Sequence, residues 1–134
     1  MHYLDRLFVG AEYETCVWIS QKADKFLNKQ ARRHDKAINE LLDKVEFWAR
    51  SGFANWEGGE GHPIKHEGGG VYRLGTRSSL FRLIGFYEND NKRSFLMIDA
   101  FLKLKQKSAR HEKERIRQVA LIKKTPKTWR KTGE

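Results

Sequence analysis

One cysteine, two prolines and the lack of any long apolar run narrow the reading of this chain before any motif is considered. Cys16 has no second thiol to pair with, which excludes an intrachain disulfide and a structural zinc site built from several cysteines. A reducing compartment fits that usage. No window reaches the roughly 20 apolar residues that a membrane-spanning helix needs. The first stretch, MHYLDRLFVGAEYETCVWIS, interrupts its short apolar patches with Asp5, Arg6, Glu12 and Glu14, which leaves no signal-peptide core. The expectation is a cytoplasmic protein with no membrane partner.

Metal ligands are scarce as well. His62 and His66 stand four apart, but Pro63 disfavours a helix across them, and no acidic or thiol ligand sits at a standard spacing. No metal and no cofactor is expected.

What the chain does have is positive charge. Its 27 Lys and Arg against 17 Asp and Glu leave a net charge of +10 over 134 residues. Such an excess favours a polyanionic partner, nucleic acid first, although an acidic protein or an anionic surface would produce the same imbalance. With 39% hydrophobic and 12% aromatic residues the chain can bury a core, and its length suits one domain over 1–134.

Taken in order, residues 1–14 read as an N-terminal arm or a short helical turn carrying Leu4, Leu7 and Phe8. The β-branched and aromatic run Thr15 to Ile19 suits a strand, and Ser20 stands where a helix cap would. From Gln21 to Arg50 there is no Gly or Pro, and apolar residues recur at helical spacing. The polar interval Asn28–Lys36 interrupts that stripe, so a helical hairpin is preferred over one long helix, with a stop at Ser51-Gly52. Residues 51–70 hold seven glycines and Pro63 and read as a connecting loop whose amides could approach a phosphate. After the central segment, Ser108 can cap a helix from Ala109 to Lys124 with Ile116, Val119, Ala120 and Leu121 as its apolar stripe. Residues 125–134 form a basic tail, in which Trp129 could stack on a base or dock on the body.

The central segment Val71 to Lys107 combines strand patterning with a dense set of cations. Its apolar runs Val71–Leu74, Leu80–Tyr87 and Phe95–Leu104, separated by two polar turns, predict an antiparallel meander. Strict alternation would place Arg73 with Arg77, Arg82 with Ile84 and Phe86, and Phe95, Met97, Asp99, Phe101 and Lys103 together on one face. Leu83, Leu96, Ile98, Ala100 and Leu102 would line an apolar face against the helices. Arg73, Arg77, Arg82 and Lys103, with Lys105 and Lys107 beyond them, could grip phosphates, and Tyr72, Phe81, Tyr87 and Phe101 could stack bases. Metal-free RNA cleavage needs a base for the 2′-hydroxyl, a cation for the charged phosphorane and an acid for the leaving oxygen. Asp99, the carboxylate inside the strands, is open to two roles: general base, or ion-pair partner of Arg82 or a lysine.

The order of strand, helical hairpin, meander and terminal helix, with the phrases YRLGTRSSLFRLIGFYE and FLMIDAFLKLKQKS, resembles the RelE/HigB toxin superfamily, in particular its phage-derived HigB-type branch, over residues 15 to 124. The resemblance implies an α+β domain in which an N-terminal strand and a helical hairpin pack on an antiparallel sheet with a C-terminal helix. It also implies a toxin of a type II toxin–antitoxin system: a metal-independent, ribosome-dependent mRNA endonuclease that inhibits translation and is neutralised by a helix-turn-helix antitoxin. On that correspondence Arg82 matches the phosphate-stabilising arginine, Arg73 a lysine of the preceding strand, Lys103 the first lysine of the terminal pair, and Asp99 the branch's histidine. Two positions depart. Gly75 stands where a second lysine is read as general base, and Leu104 replaces the second terminal lysine, with Lys105 one further on. A binding module without catalysis and a ParE-like gyrase inhibitor are the alternative uses of the same fold.

Overall fold

Ser20 closes one strand and opens the longest helix of the chain. Its Oγ accepts the Ala23 N–H at 3.0 Å and donates to the Ile98 carbonyl at 2.6 Å, so the cap also ties the helix to the sheet. The computed structural model describes residues 1–59, 61–103 and 108–133.

Helix α1 (Gln21–Ser51) stops at Gly52, whose φ of 94° is open to glycine and strained for other residues. Inside the run His34 leaves helical geometry, with φ −132° and ψ 40°. A straight helix of this length would extend about 46 Å. Yet Ala49 O, near its end, accepts the Thr15 N–H at 3.0 Å, while its start follows Ser20 directly. The strand between Thr15 and Ser20 spans only about 17 Å. The run therefore doubles back at His34, which is the expected hairpin with its corner in the polar stretch.

The sheet contains β1 (His2–Phe8), β2 (Cys16–Ser20), β3 (Glu57–Gly58), β4 (Ile64–His66), β5 (Tyr72–Gly75), β6 (Phe81–Tyr87), β7 (Ser94–Leu102) and β8 (Trp129–Lys131), in the spatial order β3-β4-β5-β6-β7-β2-β1-β8. Strands β5 to β7 pair antiparallel, as the meander predicts, and β4 adds antiparallel to β5, whereas β2 lies parallel on β7 and β8 parallel on β1. The architecture is α+β with a mixed sheet. The second helix, α2 (Ser108–Lys124), packs across β6 and β7. No helix among the described residues is long and apolar enough to cross a membrane.

Several expectations change here. Residues 2–8 of the supposed arm form a full strand. The glycine-rich stretch 51–70 is built into the sheet through a 3-10 turn at Phe53–Trp56 and the short strands β3 and β4. Trp129 docks on the body, its ring 6.2 Å from that of Phe86, and Leu121 is exposed while Ile122 packs inward.

The largest correction concerns the faces of β7. Its register against β6 slips between Ile84 and Gly85, which leaves Ile98 without a direct partner in a bulge. Phe95 and Met97 lie in the core under α1, and Phe101 lies in the other core, under α2. Leu83 keeps company with Ala100 in the first core, while Leu96 and Ile98 join Ile84 and Phe86 in the second. The face expected to be open and cationic is therefore a second core, closed by Val119, Ile116 and Ala120 of α2.

Candidate functional site

Open cationic surface remains at the β3 end of the sheet. A cleft of about 510 Å³ is lined there by Lys44 and Trp48 of α1, Trp56, the β3–β4 turn at Gly61, His62 and Pro63, Lys65 of β4, Arg73 and Gly75 of β5, Thr76 and Arg77 of the following turn, and Arg82 of β6. Among the described residues no carboxylate lines it. A cavity with several guanidinium and ammonium groups and no acid is suited to an anion.

Arg82 reaches the cleft lining from a position opposite Gly75 in the strand register. A Cβ at residue 75 would fall 2.5 Å from Arg82 Cδ and 2.7 Å from Nε, so glycine there leaves the room that the arginine occupies. Its Nη1 donates to the carbonyls of Ser79 and Phe81, both at 2.8 Å, and of Thr76 at 3.2 Å. These bonds hold the guanidinium against the β5–β6 turn without neutralising it. Among the described residues no carboxylate lies within ion-pair distance of Arg82. Burial pushes its pKa down from the ordinary value, the neighbouring Arg73 adds to that, and Glu112 opposes it. The charge of a bound anion would oppose both effects, favouring the charged guanidinium.

Arg73 is committed differently. Its Nη1 donates to Glu112 of α2 at 2.9 Å, and its Nε lies 3.3 Å from Glu67, so it clamps the sheet to α2. Arg77 is not so bound; it also borders a neighbouring hollow of about 470 Å³ that contains Glu40 and Asp43.

The structure thus brings Arg73, Arg77 and Arg82 together and places Asp99, Lys103, Phe101 and Tyr87 outside the cleft lining. Asp99 is 5% exposed and lies beneath α2. Its Oδ2 receives Arg115 Nη1 at 2.7 Å, its Oδ1 receives the Ala100 N–H at 2.9 Å, and Lys22 approaches to 3.9 Å. Ion pairing was the right role: a lysine, Lys22, is one partner, as expected, and the shorter pair is to Arg115 of α2 in place of Arg82. Lys103 does not line the cleft; its N–H bonds Leu80 O at 2.7 Å. Phe101 is 1% exposed, its ring covered by His111 and by the Arg115 guanidinium, so it is core and has no face free for a base. Phe81 is likewise buried, against Phe26 and His34. Tyr87 gives its O–H to Glu57, and burial followed by that bond pushes its pKa up; Lys92 caps the arrangement through the same carboxylate at 2.9 Å. That network fastens β3 to the β6–β7 turn. Lys105, Lys107 and Leu104 lie outside the described residues.

Lys44, Trp48, Trp56 and Lys65 are lining residues that motif reading did not single out, and His62 was considered there only as a metal ligand. The available signal was Trp56 itself, a large aromatic side chain inside a stretch otherwise dominated by glycine and polar residues. Comparison of the chain with protein-family models, with curated proteins and with solved structures found no match.

Proposed function

We propose that this protein acts on RNA, with the Arg82 cleft as the seat of the phosphate backbone, and that it does so as a toxin of the RelE/HigB type, an mRNA endonuclease working on the ribosome and held in check by a helix-turn-helix antitoxin. The observation that carries the reading is a cleft with no carboxylate among its described lining residues and with a positioned, un-neutralised arginine. In a 2′-hydroxyl attack the charge on the phosphorane builds next to such a group, where a preorganised donor stabilises it most. The loose motif order over residues 15 to 124 supports the family assignment.

Proton transfer falls to a different residue from the one the motif pointed to. Both oxygens of Asp99 are occupied, and Gly75 has nothing to accept a proton. His62 places an imidazole in the lining, a group able to take a proton from one oxygen and return it to another.

Expression of the chain alone should arrest growth and generate new transcript ends, and Arg82→Ala should abolish both. Unchanged growth with intact transcripts in the wild type would overturn the toxin reading. That no carboxylate base lines the cleft among the described residues favours a second reading, an RNA-binding module without cleavage. Salt-sensitive RNA binding with no cut on programmed ribosomes selects it, whereas loss of cleavage with retained binding in His62→Gln selects the endonuclease.

A further inference from the structure

We infer that the cleft seats a single nucleotide, one unstacked base of an RNA strand lying against Trp56 while the adjoining phosphate meets Arg77 and Arg82. The inference rests on the reading of the cleft as an RNA site and adds base recognition to it.

Trp48, at 4% exposed, belongs to the core, whereas Trp56 is only partly buried and lines the cleft together with the sheet cations. Its position is set before any ligand arrives. The indole Nε1 donates to Ser51 Oγ at 2.6 Å, and the rings of Phe47 and Trp48 lie 5.5 and 6.5 Å from it at 61° and 43°. The next residue, Glu57, is held by the Tyr87 hydroxyl and by Lys92. A wall fixed from behind loses little entropy when a base stacks on it.

The same geometry says how the base is read. The indole N–H is already used by Ser51, so Trp56 has no donor left for a base edge, and recognition is by stacking, tolerant of sequence and stronger for the larger face of a purine. The cavity volume is of the order that takes one small ligand. Bases within a duplex are stacked on one another and present no free face, so the occupant is a single-stranded segment with one base turned out.

The test compares the full chain's affinity for a short labelled single-stranded RNA with that for an abasic strand of the same length and charge, at one fixed low salt concentration. The intact strand should bind about fivefold tighter or more. Trp56→Phe should keep most of that advantage and Trp56→Ala should erase it, with affinity for the abasic strand preserved within about twofold. Arg82→Ala should weaken both strands alike. Equal binding of the two strands by the wild type, or an advantage that survives Trp56→Ala, overturns the nucleotide seat while the phosphate reading stands. Failure of the wild type to bind either strand overturns both.

Discussion

Replacing Gly75 with alanine should weaken RNA binding through Arg82, although residue 75 carries no charge. A Cβ there falls 2.5 Å from Arg82 Cδ and 2.8 Å from Nη1, where ordinary contact begins at 3.4 Å. Cδ must therefore retreat by about 0.9 Å and Nη1 by about 0.6 Å, which takes the 2.8 Å bonds to the Ser79 and Phe81 carbonyls beyond the usual limit of about 3.2 Å. The arginine side chain is flexible, so the fold should absorb the change for about 1 kcal/mol or less. The guanidinium, however, loses its placement. A charge-assisted hydrogen bond contributes about 1.5–3 kcal/mol, so Arg82→Ala should weaken RNA binding by about ten- to a hundredfold and Gly75→Ala by a part of that. The double variant should bind no more weakly than Arg82→Ala alone. Fluorescence anisotropy with a labelled single-stranded RNA measures all four affinities, and urea unfolding shows that each variant is folded. Losses that add to within about 0.5 kcal/mol would refute the reasoning, because they would mean that the two residues act independently.

Three further outcomes follow from other parts of the fold. Gly85→Ala puts a Cβ 2.0 Å from the Leu96 carbonyl oxygen, which is backbone and cannot swing aside, so the urea midpoint should fall by the equivalent of about 1–3 kcal/mol; an unchanged midpoint would show that the bulge does not bring β6 and β7 this close. Asp99→Asn should cost about 1–3 kcal/mol in the same assay by breaking the bond to Arg115, yet leave RNA affinity within about twofold. A loss of affinity as large as that of Arg82→Ala would place Asp99 in the site. Tyr87 and Lys92 have folded pKa values raised above 10.0 and 10.5, Tyr87 by burial ahead of its bond to Glu57 and Lys92 by its own bond to Glu57. The stability they contribute is complete below about pH 10, where both are protonated folded or unfolded, and is lost as pH climbs toward the folded values. Thermal unfolding above pH 10 should therefore show a decline that Tyr87→Phe makes shallower; an identical decline in that variant would remove Tyr87 as a cause.

The elements that could be read in the sequence are those whose signals are local. Ser20 and Gly52 bracket α1 by capping chemistry, and the two polar turns of the meander are marked by their own residues. β1 carries no such mark, because its strand character comes from pairing with β2 and with β8, far away in sequence. The phase of β7 was hidden for a different reason. Phe95–Leu102 is apolar almost throughout, so alternation has nothing to register against, and the slip at Ile98 moves Phe101 into a core that period-two counting could not assign to it. Gly85, which admits the Leu96 carbonyl, was the clue in the partner strand. At the site, the three arginines were visible as cations of one meander, but Lys44, Trp56 and His62 reach the cleft from a helix and a glycine-rich connection that only the folded chain brings alongside. Asp99 was legible as a buried charge in need of a partner, while Arg115 could not be chosen from among so many cations.

The pairing of β8 with β1 also dictates an order of events. Thr132, 128 positions further on, donates its N–H to the Leu4 carbonyl at 2.8 Å and its Oγ1 to Asp5 Oδ1 at 2.6 Å, so the outer edge of β1 is completed by residues synthesised long after it. During translation that edge is an exposed row of unpaired amides and carbonyls, open to any other extended chain nearby, including a second nascent copy. Every described lining residue of the cleft, by contrast, lies between Lys44 and Arg82. The described lining of the cationic site has therefore already been emitted while the opposite border of the sheet is still waiting for the strand that seals it.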